Sequence, residues 1–479
     1  MSSPEPEGVA RQARALAAGE VSARTLVARA LERIAATQPT LNAFRRVRGE
    51  AALAEADAAD RQLAAGVRLP LLGVPIAVKD DTDVAGEPTA FGCSGEFPVQ
   101  TEDCEAVRRL RAAGAIIVGK TNTCEIGQWP FTEGPAFGST RNPWSLDHTP
   151  GGSSGGGAAA VAAGLVPAAL GSDGAGSVRI PAAWTHLVGI KPQRGRISNW
   201  PDPESFHGLT SYGPLARTVA DAALLLDAAA GNHAGDRHRP RSIGTLSGVD
   251  NDPGRLRIAL SFRTAVTFTP RTLDPVVRAA VTRTAQSLAR LGHDVTEADP
   301  RYGLVGLGFL PRAEAGVREW CARVPDQTLL DARTRRTARH GRWLGGPALR
   351  LARAAEPVLH RQVGAIFGRF DVVLTPTTAT PPPRIGELSG LSGWETDKAS
   401  IAACPYAWPW NVLGWPAVSV PAGFTATGLP LGAQLLGPAG SEPLLVSLAA
   451  QLEADQRWYE HSPPAVPVAP PPGAPAVPQ

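Results

Sequence analysis

Lysine is nearly absent from this chain. It stands only at positions 79, 120, 191 and 398, against 43 arginines in 479 residues. A buried lysine can lose its proton and act as a base, whereas arginine stays charged in proteins. A sequence that uses arginine for almost every positive charge therefore draws attention to Lys79, which directly follows the short apolar run VPIAV. Lys120 and Lys191 are expected to pair with carboxylates or cap backbone groups.

Cysteine is also scarce. The five cysteines, an odd number, show neither a CxxC motif nor a Cys/His pair with the spacing of a zinc site. This pattern excludes a disulfide-stapled scaffold and predicts reduced, half-buried thiols in a cytoplasmic protein. We expect the protein to need no metal and no cofactor.

Long apolar runs and charge runs are missing as well. No apolar stretch reaches the roughly 18 uninterrupted residues of a membrane span, and the N-terminus MSSPEPEGVARQ has no apolar signal segment. The formal charge is only +3, and the densest basic stretch, 333–342, has few aromatic companions. We therefore expect a small-molecule substrate rather than nucleic acid or a membrane as the partner, and a homodimer remains open.

The pattern along the chain alternates between helices and strands. Amphipathic helices are predicted within 7–37 and 50–66, and Asp103 is expected to cap a helix that ends near residue 112. Buried strands are predicted at 74–78, 115–118, 256–262 and 371–377. This alternation predicts an α/β fold, with a mixed central sheet covered by helices on both faces.

We predict one large domain, 1–461, followed by a proline-rich disordered tail, 462–479. Within the domain, the arginine-rich segment 300–360 is predicted to be a variable helical insert that influences substrate selectivity. The other interpretation of this insert is a helical layer that only protects the core.

Residues 150–181 carry the strongest chemical signal. A glycine-rich loop holds Ser153 and Ser154, and a second glycine-rich loop presents Ser177 just before a predicted helix. A serine at a helix N-terminus lies close to unpaired backbone N–H groups and to the positive end of the helix dipole. The N–H groups of Gly174, Ala175 and Gly176 are therefore candidates for an oxyanion hole around a reactive hydroxyl.

Together these segments resemble the amidase signature family of serine hydrolases. The resemblance rests on six ordered blocks over about 370 residues: LLGVPIAVKD (71–80), AAGAIIVGKTNTCEIG (112–127), residues 150–181, LVGIKPQRGRIS (187–198), DVVLTPTT (371–378) and NVLGWPAVSVPAGFTATGLPLGAQLLG (411–437). It implies hydrolysis of an amide, or of a carbamate, through a serine acyl-enzyme.

The resemblance also assigns roles to residues. It implies Lys79 as the base, Ser153 as a proton relay behind a cis Gly152–Ser153 peptide, and Ser177 as the nucleophile. Lys79 would be neutral, held so by burial and an apolar immediate environment. The segment Gly127, Gln128 and Trp129 follows the block in which the family shapes its acyl pocket, so we expect these residues to bind substrate.

One departure from the family lies beside the nucleophile. The family has two glycines before this serine, whereas this chain has Gly-Ala-Gly-Ser at 174–177. We expect Ala175 to have a negative φ and its methyl group to narrow the acyl pocket. Asp173 and Arg179 flank the loop and are expected to pair.

Other readings of the sequence stay open. The pattern G-x-S-x-G at 152–156 also fits an α/β-hydrolase-type esterase with Ser154 as nucleophile, although that elbow needs a strand directly before it. His148 is the first alternative base. A glutaminase subunit of a tRNA-dependent amidotransferase is a further alternative, as is a non-catalytic binding protein. The substrate is left open, with aromatic richness favouring a bulky apolar acyl or amine group.

Overall fold

The computed structural model describes residues 8–245, 248–267, 269 and 272–467. Part of the predicted tail, 468–479, lies outside these residues. The described beginning of that tail is docked on the protein, because Val466 packs against the main core and the Pro467 carbonyl accepts a hydrogen bond from Thr40.

The described strands form one large mixed sheet and a small hairpin. The sheet has eleven strands in the order β1-β3-β2-β6-β8-β7-β12-β13-β11-β9-β10, and the hairpin pairs β4 with β5. The strand bounds are β1 Phe44–Val47, β2 Pro75–Lys79, β3 Ile116–Thr121, β4 Glu133–Gly134, β5 Gly138–Ser139, β6 Ala168–Asp173, β7 Val188–Lys191, β8 Ser211–Ala216, β9 Arg257–Leu260, β10 Asp294–Glu297, β11 Val372–Pro376, β12 Ala417–Phe424 and β13 Pro430–Leu436.

Parallel pairing is confined to two places in the sheet. Strand β2 runs parallel to β3 and β6, and β9 runs parallel to β10 and β11, while the other neighbours are antiparallel. Every residue of β2, β3 and β6 is buried. Strands buried on both faces read as continuous apolar runs, which is why VPIAV and AIIV were recognisable.

The described helices cover the sheet. Their bounds are α1 Val9–Ala18, α2 Ala23–Leu41, α3 Gly49–Ala64, α4 Glu105–Ala112, α5 Gly155–Ala162, α6 Arg179–Thr185, α7 Val219–Ala229, α8 Pro275–Arg290, α9 Val305–Cys321, α10 Ala332–Leu344, α11 Pro347–Ala354, α12 Glu356–Gly364, α13 Gly393–Ala403, α14 Trp408–Leu413 and α15 Glu442–Gln456. Helices α5 and α6 contact each other and the central strands. A second group of helices, α7, α8 and α15, also contacts strands of the sheet. The predicted α/β class is confirmed.

Local capping signals were only partly informative. Ser22 caps α2 as its position suggests, and its side chain accepts the Thr25 N–H. Asp103 does not cap α4, because the N-cap position falls on Cys104. The Asp103 carboxylate instead accepts the Ala85 N–H and pairs with Arg111. The prediction for Asp103 was wrong because tertiary partners outcompeted the local cap.

The segment 300–360 consists largely of helices α9 to α12. Helix α9 packs against α10, α11 and α14, and it also contacts the 3-10 turn at Glu125–Gly127. Among the described residues, no helix combines the length and the apolar character that crossing a bilayer would require.

Candidate active site

Lys79 ends strand β2 inside a polar cluster. Its Nζ donates to the Ser153 Oγ and the Ser172 Oγ, at 2.7 Å each, and lies 3.1 Å from the Asp81 carboxylate. The Ser172 Oγ also donates to Asp81 at 2.5 Å. The expected apolar environment of Lys79 is therefore wrong, because the chain turns back after β2 and brings Asp81 to the lysine.

Ser153 lies in the loop 150–154, directly before α5. The peptide bond between Gly152 and Ser153 is cis, as the family resemblance implied. Ser153 is only 1% exposed, so its hydroxyl meets Lys79 in a site that is nearly closed to solvent. The structure thus brings together two of the three residues predicted to form the triad.

Ser177 lies in a loop, 174–178, between the end of β6 and the start of α6. The two serine loops are bonded to each other, because the Ser154 N–H donates to the Ser177 carbonyl at 3.1 Å. Ser177 is 7% exposed, more than Ser153 or Lys79. The serine predicted as nucleophile therefore lies beside the Ser153 loop, on the more accessible side of the site.

Asp173 organises the Ser177 loop from within. Its carboxylate accepts hydrogen bonds from the Gly176 N–H, the Val178 N–H, the Arg179 guanidinium and the Asn411 side chain. Burial alone would raise the pKa of Asp173, but Arg179 and the hydrogen bonds outweigh it and hold the pKa below its usual value. The predicted pairing of Asp173 with Arg179 is confirmed, at 3.0 Å with both side chains fully buried.

The same contacts correct part of the predicted oxyanion hole. The Gly176 N–H donates to Asp173 at 2.8 Å and is therefore already used within the protein. Within the described part of the chain, the N–H groups of Gly174, Ala175 and Ser177 have no hydrogen-bond acceptor. These three donors remain available for a developing negative charge.

The backbone of the loop explains where glycine is needed. Gly176 has a φ of 117°, whereas Ala175 is not among the residues with positive φ. A Cβ at Gly176 would also lie 2.6 Å from the Ala407 Cβ. The alanine at 175 is thus compatible with the loop, while position 176 requires glycine.

The predicted substrate-binding segment lies against the catalytic pair. A Cβ added at Gly127 would lie 3.3 Å from the Ser153 Oγ and 3.6 Å from the Lys79 Nζ. The Trp129 ring is buried between Phe131, on which it stacks, and the Arg333 guanidinium. The contacts of the Trp129 ring are therefore with Phe131 and Arg333. Substrate contact by residues 127–129 stays a prediction.

Helix α10, within the segment 300–360, is hydrogen-bonded to this segment. The fully buried Glu125 carboxylate accepts the Thr334 hydroxyl at 2.6 Å and the Asp331 N–H at 2.9 Å. The Gln128 amide donates to the same Thr334 oxygen at 2.8 Å. Burial raises the pKa of Glu125, and the hydrogen bonds from Thr334 and Asp331 oppose that rise. The first turn of α10 is therefore bonded to the residues that flank Gly127.

The alternative nucleophile, Ser154, and the alternative base, His148, have other hydrogen-bond partners than the Lys79–Ser153 pair. The Ser154 hydroxyl donates to the Ser172 carbonyl, and no strand of the described chain directly precedes Ser154. The strand of an esterase elbow is thus absent there. His148 bonds through its ring to Ser145 at 2.8 Å, and burial lowers its pKa.

Two residues of the site were not identified from the sequence. Ser172 and Asp81 complete the polar cluster around Lys79; Ser172 stands inside the block 150–181, and Asp81 directly follows the block 71–80. A signal existed for Asp81, since carboxylates at 80 and 81 directly follow the lysine. Ser172 gave none, because nothing local distinguishes it from other strand serines.

The remaining buried lysines differ from each other. Lys120 pairs with the Asp80 carboxylate at 3.2 Å, as expected. Lys191 has no ion pair among the described residues and donates only to the Pro192 carbonyl. Burial, together with the neighbouring Arg179, lowers the pKa of Lys191 to about 7. The described residues contain no group of His, Cys, Asp and Glu side chains that could hold a metal ion.

Comparison with known proteins places this geometry in context. The sequence model of the Amidase family matches residues 25–446. A protein of Mycobacterium tuberculosis named "Putative amidase AmiA2" is 59% identical over 449 residues, which cover 94% of this chain and 93% of that protein.

Solved structures agree with the sequence comparison. A 6-aminohexanoate cyclic dimer hydrolase, solved in complex with substrate, superimposes with a TM-score of 0.87 at 31% identity and covers 96% of this chain and 99% of its own. A peptide amidase from Stenotrophomonas maltophilia gives a TM-score of 0.78 at 29% identity, with 94% and 97% covered.

Proposed function

The chain belongs to the amidase signature family, and on that premise we propose that Lys79, Ser153 and Ser177 form its Ser–Ser–Lys triad. The protein is an enzyme that hydrolyses carbon–nitrogen bonds of amides. One observation carries the assignment of residues: the buried Lys79 amine donates to the Ser153 hydroxyl at 2.7 Å, in the loop bonded to the Ser177 loop.

The reaction proceeds in two halves. Acting as the base, the Lys79 amine takes the proton of Ser153, which takes the proton of Ser177, and the Ser177 oxygen attacks the amide carbon. The N–H groups of Ala175 and Ser177, with Gly174, stabilise the oxyanion. The protons return through Ser153 to the leaving nitrogen as the C–N bond breaks, and water then hydrolyses the acyl-enzyme by the same relay.

Asp81 and Ser172 position the base in this scheme. Ser172 accepts a hydrogen bond from Lys79 and donates one to Asp81, and the Asp81 carboxylate lies 3.1 Å from the lysine amine. Together the two residues hold the amine beside Ser153. The Asp81 carboxylate also favours the ammonium that forms when Lys79 accepts a proton. Asp81 therefore stabilises the protonated intermediate of the relay.

The assignment is tested with a covalent serine probe and with variants at both ends of the relay. We expect the probe to label Ser177, and Ser177→Ala to abolish hydrolysis while thermal unfolding stays unchanged. Labelling of Ser154 would contradict the assignment.

Lys79→Arg tests the base without removing the positive charge. Because guanidinium cannot accept the serine proton, we expect Lys79→Arg to be nearly as inactive as Lys79→Ala in steady-state kinetics. Turnover within a few-fold of the parent in Lys79→Arg would make Lys79 an electrostatic support only. His148 would then be the first base to test.

The alternatives are not favoured. The matched relatives and structures are named as amidases or as a hydrolase of a cyclic amide, which supports neither a glutaminase subunit nor an esterase using Ser154. A small-molecule amide is thus the expected substrate. We further propose a cytoplasmic location, supported by five free, buried thiols, and a single domain, 1–461, in which 300–360 is an insert.

A further inference from the structure

The loop that carries Ser153 is closed by one buried side chain. The Thr132 hydroxyl donates to the Gly151 carbonyl at 2.8 Å and accepts the Gly155 N–H at 3.2 Å. These two backbone groups stand two residues before and two residues after Ser153, and Thr132 is 0% exposed. One hydroxyl thus spans the loop on both sides of the proposed relay serine.

The Gly151 carbonyl and the Gly155 N–H both depend on this hydroxyl. Among the residues that the structure describes, neither group has another hydrogen-bond partner. Gly155 begins α5, and the first N–H groups of a helix have no acceptor within the helix. The side chain of Ser154, the N-cap residue, supplies none. Thr132 therefore caps α5 from a separate part of the chain, where an unpaired buried group would be costly.

Glycines in the loop allow it to lie directly against residues 131 and 132. A Cβ at Gly152 would lie 2.5 Å from both the backbone nitrogen and the carbonyl oxygen of Phe131. A Cβ at Gly155 would overlap the Thr132 Oγ1. The space between the loop and Thr132 is therefore filled, so a change in the size or bonding of the group at Oγ1 must move the loop.

Thr132 is itself held in place by its neighbours. The preceding residue, Phe131, is fully buried. The Thr132 carbonyl accepts the Thr140 N–H at 3.0 Å, beside the β4–β5 hairpin. The following residue, Glu133, is buried, and its carboxylate accepts the Gly386 N–H at 3.0 Å. The hydroxyl that closes the Ser153 loop thus stands on a fixed segment.

The position of Ser153 matters because its hydroxyl has two partners in the relay. It accepts a hydrogen bond from Lys79 at 2.7 Å, and in the proposed reaction it takes the proton of Ser177. A proton relay requires both distances to be short at the same time, and a misplacement of about 1 Å can cost on the order of 100-fold in rate. The group that fixes the loop therefore influences the chemistry.

We propose that Thr132 is a positioning residue for the relay, because it fixes the loop that presents Ser153 to Lys79 and to Ser177. The proposal rests on the triad proposed above. It adds a residue that stands outside the six family blocks recognised in the sequence. Thr132 acts through the backbone of Gly151 and Gly155, so its loss slows proton transfer and leaves ligand binding unchanged.

The experiment measures how fast a fluorophosphonate probe labels Ser177 in the full chain. Thr132→Val keeps the branched shape but carries a methyl group, which forms neither bond and packs at roughly 3.5–4.0 Å from its neighbours. We expect the maximal labelling rate to fall at least about tenfold, with the probe concentration for half-maximal rate unchanged. Thr132→Ser keeps the hydroxyl and its bonds, so it should stay within about threefold of the parent.

Thr140→Val is the matched control. Thr140 is also 0% exposed, and its hydroxyl donates to the Asn42 carbonyl at 2.6 Å, away from the Ser153 loop. This variant should lower the unfolding temperature but leave the labelling rate unchanged. Parental labelling in Thr132→Val, equal slowing in Thr140→Val, or slow labelling in Thr132→Ser would each overturn the proposal. Failure of the triad is distinguishable, because Ser177 of the parent would then stay unlabelled.

Discussion

Gly176 carries the tightest steric constraint in the Ser177 loop. Its φ of 117° is unfavourable for any residue with a Cβ, and its N–H is held by Asp173. Its neighbour Ala175 has an N–H free for the oxyanion and a methyl group that packs against the cluster around Trp408 and Trp410. The two positions thus have separate roles: Gly176 shapes the turn, whereas Ala175 packs its methyl group and leaves its N–H without an acceptor among the described residues.

These separate roles predict that activity is sensitive to substitution at Gly176 and tolerant of substitution at Ala175. Gly176→Ala should lower kcat/KM by roughly 100-fold, the usual loss when oxyanion donors are displaced, because the new Cβ would clash with Ala407 and Ile180. Ala175→Gly should stay within about threefold on a small anilide. Steady-state kinetics with thermal unfolding checks both, and full activity in Gly176→Ala would contradict the loop geometry.

Among the elements, helix α10 is connected to the site by side-chain hydrogen bonds rather than along the chain. Its first turn holds Glu125 and Gln128 through Thr334, and these flank Gly127, which lies over the Ser153 and Lys79 pair. A helix outside the shared family blocks thus supports the wall of the catalytic site.

We predict that Thr334→Val lowers kcat about tenfold. The change leaves the buried Glu125 without its hydroxyl donor and Gln128 without its acceptor, a cost of about 1–3 kcal/mol for each unsatisfied group. Thr334→Ser should restore most of the rate. As a matched control, Thr337→Val on the same helix removes only a bond to the Arg333 carbonyl and should have little effect on kcat. A rate unchanged in Thr334→Val would show that α10 does not position the segment.

A second connection between elements is sensitive to pH. Glu453 on α15 accepts the N–H of Val219, the first residue of α7, and burial raises its pKa to about 7. Because the folded-state pKa lies above the unfolded value, the folded chain binds the extra proton. Its stabilising effect is complete below about pH 4.5 and is lost as the pH rises to about 7.

We therefore predict that Glu453→Gln flattens the pH dependence of stability. Between pH 5 and pH 8 the parent should lose more unfolding free energy than the variant, by as much as about 3 kcal/mol. Denaturant unfolding at both pH values measures the difference, in which contributions from other groups cancel. An equal loss in both proteins would show that Glu453 titrates normally.

For the whole molecule, the site is assembled from distant parts of one chain. Lys79, Ser153, Ser177 and their supports come from strands and loops that are brought together by the parallel β3-β2-β6 group. Helix α10 bonds to Glu125 beside the site, and the C-terminal third adds Asn411, whose amide donates to Asp173. One polypeptide thus supplies the proposed triad and the groups that support it.

We predict that the purified chain alone hydrolyses a simple anilide and keeps its rate in the presence of a chelator. The relay supplies both base and nucleophile, so neither a partner subunit nor a metal is required. Activity lost to the chelator and restored by zinc, or seen only with a partner, would contradict this. The measurement is initial rate before and after dialysis against the chelator.

Much of this molecule was accessible from the sequence, because the relevant information is local. The apolar runs before Lys79 and around 115–118 identify buried strands, and the glycines around Ser153 and Ser177 identify loops whose backbone can approach a hydroxyl closely. The family blocks assign these serines and the lysine their roles. Such features depend on residues that are close in the sequence, so they can be recognised without knowledge of the fold.

Only the tertiary structure decided which groups meet. Asp81 and Ser172 surround Lys79, Asp173 takes the Gly176 N–H, and Thr334 reaches Glu125 across 209 positions of sequence. Asp103, placed as a helix cap from its position, is used elsewhere for the same reason. Burial raises the free-energy cost of an unpaired polar group, so most buried polar groups bond to a partner that the packed chain brings near, and that partner is set by the fold rather than by position along the sequence.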